Sequence, residues 1–390
     1  MELSILLGVL VAFITALSVV ALAHPQVVKF AKKRNIVDNP DARKLQRNPV
    51  PVMGGIAVFF GIVSGLCISG IFLNFNELLP VIIAMSVMLC VGVIDDVSEL
   101  SPLLRFVIEI AVVVMLILTT KISLNSLHGL WGFYDLPPFV SVPLTIFAVV
   151  GMINAINLID GVDGLSSGFC ILASLIFGIL FFIAGNPTML LLSAITIGAL
   201  IPFFFHNVFG NKSKMFIGDG GSLMMGVIMS TYVVSIIAAR GEVLAAMPKN
   251  MSLVAFTMAV MAVPVFDTLR VMLMRILRGT SPFHPDKTHL HHLFIDLGFS
   301  HIATTLSVLS LNMLVVLAWW IAYMMGASLD IQFYVMFASG ILVTAGFYKV
   351  MRVQMAKKGI LARAMQNLAN RTHYQERPLW LALQRITDKR

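Results

Sequence analysis

The chain has 390 residues, of which 58% are hydrophobic and 12% charged, with a formal net charge of +8 and a mean hydropathy of +0.93. The charged fraction is about half that of soluble domains, so a water-soluble globule is excluded for lack of polar surface, and so is a disordered chain. The basic excess does not signal nucleic acid either, because no groove-sized Lys/Arg patch sits on a soluble module. The class is an all-α polytopic membrane protein.

Eleven apolar segments are long enough to cross ~30 Å of hydrocarbon. They cover 3–23, 52–73, 79–94, 103–120, 139–158, 166–184, 187–205, 220–239, 252–274, 303–325 and 331–349. The first could pass for a signal peptide ending at Ala21-Leu22-Ala23, but its start has no positive charge and basic residues follow it, which suits a retained helix. Cys67, Cys90 and Cys170 all lie in apolar runs without CxxC spacing, so they read as small buried hydrophobes. By this map 24 of the 27 Lys and Arg fall on one side, and only Lys121, Arg240 and Lys249 on the other. That split predicts an outer N-terminus and a cytoplasmic C-terminus. It also divides the chain into a transmembrane domain with cytoplasmic loops, 1–350, and a basic cytoplasmic tail, 351–390.

Polar residues cluster in four segments, all on the predicted cytoplasmic side. After the third span comes Asp95-Asp96. Adjacent carboxylates repel unless a cation compensates them, and hard oxygen ligands without thiolate favour Mg²⁺, with Mn²⁺ as the alternative. A solvated loop ending the span is the bland reading. Deeper in the fourth span, Glu109 has Arg105 within a turn, which reads as an internal pair.

At the end of the fifth span Asn154, Asn157 and Asp160 recur every third residue, roughly along one helical face, and Asp163 follows where Gly161 and Gly164 unwind it. Such a stripe near membrane depth reads as functional, with hydrogen bonding between helices as the alternative. Asn186-Pro187 splits the next long run into two helices. Then Gly218-Asp219-Gly220-Gly221-Ser222 opens the eighth span. A glycine-rich helix start leaves N–H groups for an anion, and its Asp can bind a cation that holds a phosphate; a capped turn is the plain reading. Lys212, Lys214 and Phe216 precede it, adding charge and a ring that could stack on a base.

In the ninth span Asp267 and Arg270 form a second internal pair, and Asp267 could also line a site. His289-x-His291-His292 follows. No Cys accompanies these histidines and their spacing does not put all three on one helical face, so contacts to phosphate or sugar are favoured over zinc. The tail mixes basic residues with Leu, Ile, Met and Trp380, which fits a surface-lying amphipathic helix or a solvated stop-transfer tail.

Taken together, the four segments resemble the polyprenyl-phosphate N-acetylhexosamine-1-phosphate transferase superfamily, glycosyltransferase family 4, on the bacterial undecaprenyl-phosphate GlcNAc-1-phosphate branch. The resemblance runs from about Asn39 to His292 and includes Pro51-Val52-Met53-Gly54-Gly55. His-Leu-His-His resembles the GlcNAc branch; phospho-MurNAc-pentapeptide translocase, the alternative within the superfamily, usually carries three consecutive histidines. The resemblance implies a Mg²⁺-dependent enzyme of the bacterial inner membrane whose site faces the cytoplasm. Undecaprenyl phosphate would attack a UDP-N-acetylhexosamine, UMP would leave, and surface polysaccharide or teichoic acid synthesis would begin. It also implies roles. Asp219 and Asn157 would hold the metal. Asp95 and Asp96 would serve the lipid phosphate or the metal, and Asp160 and Asp163 would shape the nucleotide site. Phe216 would stack on uracil, with Asn154, Asn207 and Lys214 nearby. His289, His291 and His292 would hold diphosphate or sugar, and Arg43 and Lys44 would neutralise substrate phosphate. The lipid bilayer, and a second copy in a homodimer, are the implied partners. A membrane prenyltransferase would need neither the histidines nor four separate motifs. A transporter would place its site near the midplane, where these spans carry no charge.

Overall fold

The structure, a computed structural model, describes residues 2–38, 49–282, 286–374 and 377–388. Arg43 and Lys44 lie outside the described residues. Helix α1 covers Leu3–Lys33, running past the expected end of the first apolar segment and through Pro25, with Lys32 and Lys33 in its last turn, where cations favour the helix dipole. Two-residue strands β1 (Val37–Asp38) and β2 (Val50–Pro51) pair antiparallel, Val37 opposite Pro51. Then follow α2 (Gly54–Ser69), α3 (Leu79–Ser98), α4 (Pro102–Thr120), α5 (Pro138–Leu158), α6 (Leu165–Ile183), α7 (Pro187–Phe209) and α8 (Gly218–Ile237). A short α9 (Gly241–Ala245) precedes α10 (Leu253–Val260), α11 (Ala262–Leu277), α12 (Leu290–Asp296) and α13 (His301–Met324). Helix α14 (Leu329–Ile341) continues through π-helical Leu342–Gly346 into α15 (Phe347–Ala356), and α16 (Ile360–Ala369) and α17 (Pro378–Asp388) form the tail.

The helix starts obey local chemistry. Pro102, Pro138 and Pro187 occupy first turns, where a missing N–H costs nothing. Ser101 and Asn186 cap α4 and α7 by accepting from Leu104 N and Met189 N. Among the described residues nine helices are long and apolar enough to cross a membrane, and the α10–α11 pair makes ten. Helix α2, at 16 residues, is shorter than the ~20 a full crossing takes. Leu3, Leu7, Leu10 and Ile14 of α1, and Leu175, Ile179, Phe182 and Ile183 of α6, are each half exposed or more. Such outward apolar stripes match a lipid surround.

The expected ninth span is broken: α10 and α11 meet at a 76° bend around Met261. Breaking a helix frees backbone groups that lipid will not satisfy. Asn312 of α13 takes both roles, accepting from Val263 N (2.9 Å) and donating to Val260 O (3.0 Å).

Helix α8 is the axis of the molecule, buried nearly all round. Three of its glycines let neighbours approach. A methyl on Gly220 would sit 2.8 Å from Leu89 O of α3, one on Gly221 2.8 Å from Gly55 Cα of α2, and one on Gly226 2.6 Å from Ile153 Cα of α5. Small residues at such crossings are how helices pack closely without a hydrophobic drive between them. Further along, Tyr232 fills the core against Phe177 and Phe181, its hydroxyl donating to Thr196 of α7. The close crossings put the end of α3 directly on the start of α8.

Candidate active site

The start of α8 has no side-chain cap of its own. Gly218, at φ +73°, turns the chain inward. The freed N–H groups of Asp219 (3.1 Å) and Gly220 (3.5 Å) then donate to the Asp96 carboxylate on α3. The helix start that could have attracted an external anion is therefore occupied by the protein's own carboxylate. Next door, Asp95 accepts from Leu100 N (2.7 Å) and from Arg105 Nη1 (3.0 Å). Asn157 of α5 reaches over to donate to Asp219 Oδ1 (2.8 Å) and Ser222 Oγ (2.9 Å). Asp95, Asp96, Asn157 and Asp219, dispersed over three helices, thus form one cluster.

Arg105 is its cation. The guanidinium lies 3.0 Å from Asp95 Oδ2, 3.6 Å from Asp219 Oδ2 and 3.6 Å from Glu109 Oε1. The expected Glu109 pair is present, but the same side chain also bridges two carboxylates of the cluster. Asn154 is not in the cluster: its amide donates to Glu109 and Val150 O, one turn deeper.

A second group stands beside the first. In the α5–α6 turn Asp163 Oδ2 takes Lys214 Nζ (2.6 Å) and His301 Nδ1 (2.7 Å), while Oδ1 is buried with no hydrogen-bond partner among the described residues. Burial alone would push this carboxyl up; the bonds from His301 and Lys214 reverse that and hold it below the ordinary range. Asp160 takes the opposite course. Burial, followed by repulsion from Asp219, Asp96 and Asp163, holds its carboxyl well above the ordinary range. Asn207 braces the region, accepting from Gly164 N (2.6 Å) and donating to Met215 O (2.9 Å). Lys214 lies 5.8 Å from the Phe216 ring centroid.

The histidine segment closes the third side. Asp267, buried on α11, accepts from His289 Nδ1 (2.9 Å), Leu290 N (3.1 Å) and Arg270 Nη2 (2.7 Å). This anchor sets the ring of His289, whose Nε2 has no partner among the described residues. His291 stacks parallel to it at 5.7 Å, and a methyl on Gly161 would run into the His291 ring, so the motif abuts the Asp160 turn. Burial and the neighbouring imidazoles lower the pKa of His291 and His292, so both are neutral donors at pH 7.

No three His, Cys, Asp or Glu side chains among the described residues converge as a metal cage. Mg²⁺ does not need one: it binds through one or two carboxylates and keeps waters and substrate phosphates. The all-oxygen donors Asp219 and Asn157, and the uncompensated repulsion at Asp160, fit such an ion.

Sequence reading missed two members. Arg105 was legible only as a helical partner of Glu109, and His301 gave no signal at all, 138 positions from Asp163. Asp267 was paired with the right Arg, but its hold on His289 required the α11–α12 fold.

The family model described as glycosyl transferase family 4 matches residues 78–238. That stretch holds both carboxylate groups and Asn157, Phe216 and Asp219, but not the histidine segment. The chain is 30% identical over 306 residues, 78% of its length and 82% of the relative's, to the protein named probable undecaprenyl-phosphate N-acetylglucosaminyl 1-phosphate transferase of Bacillus subtilis (strain 168). It is 30% identical over 276 residues, 70% of its length and 72% of the relative's, to undecaprenyl-phosphate alpha-N-acetylglucosaminyl 1-phosphate transferase of Escherichia coli (strain K12).

Proposed function

The chain belongs to glycosyl transferase family 4, and from that premise we propose that it transfers GlcNAc-1-phosphate from UDP-GlcNAc to undecaprenyl phosphate. A phosphate oxygen of the lipid attacks the sugar-bearing β-phosphorus, the α–β anhydride bond breaks, and UMP leaves. Undecaprenyl-diphospho-GlcNAc stays in the membrane as the first intermediate of a surface polysaccharide or teichoic acid. The site faces the cytoplasm of a bacterial inner membrane in this reading, with α2 completing eleven spans, the N-terminus outside and residues 351–390 as the cytoplasmic tail. The 24-to-3 segregation of Lys and Arg supports that orientation.

The observation that best supports the reading is the junction of Asp96, Asn157 and Asp219 on three helices, with Arg105 against it and the Asp163–Lys214 pair beside it. Two anionic substrates must meet there, and phosphoryl transfer needs positioning and charge compensation more than covalent chemistry. Mg²⁺, held by Asp219 with Asn157, would neutralise charge on the diphosphate. Asp95 and Asp96 position the lipid phosphate; its second pKa is near 6, so no strong base is required. Lys214, with Phe216 beneath it, takes the nucleotide. Asn207 serves that site by bracing Gly164 and Met215, and Asn154 by holding Glu109 under Arg105. His291 and His292 donate to diphosphate or sugar oxygens, and His289 turns its Nε2 to the same groups.

Purified protein given undecaprenyl phosphate, UDP-GlcNAc and Mg²⁺ should release UMP, and Asp219→Ala should abolish release while leaving the thermal transition intact. No UMP from any UDP-N-acetylhexosamine would overturn the function. An Asp219→Ala protein with wild-type turnover and metal dependence would overturn the metal assignment alone.

A further inference from the structure

The tail does not hang free. Asp388, in the last turn of α17, points its carboxylate into the loop between α7 and α8. Its Oδ1 accepts from Asn211 N (3.1 Å), Ser213 N (3.0 Å) and Ser213 Oγ (3.0 Å). Burial would raise this carboxyl, but the loop N–H groups of Ser213, Lys212 and Asn211 hold it below its ordinary range, so it is ionised at neutral pH. Trp380, two turns earlier, packs on Phe209 with ring centroids 4.8 Å apart. Before α17, the Ser300 hydroxyl donates to Thr372 O (2.8 Å) and the Ser300 N–H to Thr372 Oγ1 (3.3 Å). The tail is thereby tied both to the α7–α8 loop and to the residue preceding His301.

The tied loop is the one that matters. Ser213 is also gripped from the other side by His24 Nε2 on its carbonyl (2.9 Å) and by His206 Nδ1 on its hydroxyl (3.0 Å). Lys214 follows immediately and bonds Asp163. Between tail and bundle lies a cavity of about 450 Å³, within the range of small-ligand sites. Lys214, His301 and Asp163 line it from the bundle, and Tyr374, Trp380 and Gln384 from the tail. Its chemistry suits one class of ligand. Lys214 and His301 suit a phosphate. The buried Oδ1 of Asp163, without a partner among the described residues, suits a sugar hydroxyl. Two aromatic rings and a side-chain amide suit a nucleobase, stacked and read at its edge.

We propose that the tail is a working wall of the nucleotide pocket: Tyr374, Trp380 and Gln384 enclose the nucleoside of the donor, and Asp388 is a positioning residue that clamps the 211–213 loop so that Lys214 meets its phosphate. The proposal rests on the UDP-sugar reading above and adds to it a segment outside the family match.

The test uses full-length Asp388→Ala, Asp388→Asn, Asp388→Glu and Trp380→Phe proteins. Asp388→Ala should raise the KM for UDP-GlcNAc about tenfold, equivalent to ~1.4 kcal/mol, with kcat and the KM for undecaprenyl phosphate unchanged. Asp388→Asn should fall between, and Asp388→Glu should recover most of the loss. UMP alone should quench tryptophan emission of the wild type, less in Trp380→Phe, and bind Asp388→Ala about tenfold more weakly. Wild-type donor KM and UMP affinity in Asp388→Ala would overturn the proposal. So would a parallel rise in both substrates' KM, which marks a general loss of structure. The UMP measurement separates the two readings: UMP binding weakened by the tail variants sustains the pocket even if no sugar phosphate is transferred, whereas turnover with tail-independent UMP binding sinks the pocket and leaves the function standing.

Discussion

Gly220→Ala tests whether the site depends on the closeness of α3 and α8. The added methyl would lie 2.8 Å from Leu89 O, 2.9 Å from Val93 Cγ2 and 3.1 Å from Val93 N. Two of the three are backbone and do not rotate away. Restoring a normal ~3.5 Å contact parts the helices by about 0.7 Å. The Asp219 N–H to Asp96 bond, now 3.1 Å, then stretches beyond hydrogen-bonding range, and the 3.5 Å bond from Gly220 is lost outright. Overpacking costs about 1–3 kcal/mol, and the lost hydrogen bond to the Asp96 carboxyl about 0.5–1.5 kcal/mol. Replacing a helical glycine returns about 1 kcal/mol, which leaves a net loss near 2 kcal/mol. A displacement approaching 1 Å at a phosphoryl-transfer site lowers kcat/KM by up to about 100-fold. UMP release and the thermal transition in detergent read both effects. Gly151→Ala on α5 is the control, because a methyl there meets nothing within 4 Å; it should match or slightly exceed wild type. If Gly220→Ala keeps wild-type melting and kcat/KM, the close crossing does not position the site.

Asn312→Leu should leave Val263 N–H and Val260 C=O unpaired at the α10–α11 bend, costing about 1–3 kcal/mol for each; an unchanged melting temperature would mean the break is satisfied otherwise. His301→Ala removes one of two partners that hold Asp163 low. Asp163 in the wild type keeps its ion pair as pH falls below the ordinary carboxylate value, losing it only at the depressed one; in the variant the loss should come at higher pH, visible as an upward shift of the acid limb in donor KM. Asp160 is displaced the other way, its carboxyl raised by burial and then by Asp219, Asp96 and Asp163. A cation in the cluster favours its ionised form, so raising Mg²⁺ should move the acid limb of kcat/KM to lower pH, and a limb indifferent to Mg²⁺ would count against the ion lying there.

Composition and charge order carried much of this molecule. Hydropathy located most of the apolar helices to within a few residues, because a lipid surround demands long apolar runs, but it did not show that α1 continues to Lys33 or that the ninth span breaks at Met261. Asp95-Asp96, Asn157, Asp163, Asp219 and the histidine triplet stood out because polar groups at membrane depth are costly. Local sequence carries no such cost signal for what helices do to one another. Arg105 serves three acids because α4 starts beside both α3 and α8. His301 reaches Asp163, and Asp388 the 211–213 loop, across more than a hundred residues each. The start of α8 reads in sequence as an open anion site, and it is filled because glycines let α3 slide in close enough for Asp96 to cap it. Sequence by itself determined which groups bear charge and which segments sit in lipid, since both follow from transfer free energy residue by residue. Which charges neutralise one another depended on distances of about 3 Å between segments far apart in the chain, and only the packed tertiary structure sets those.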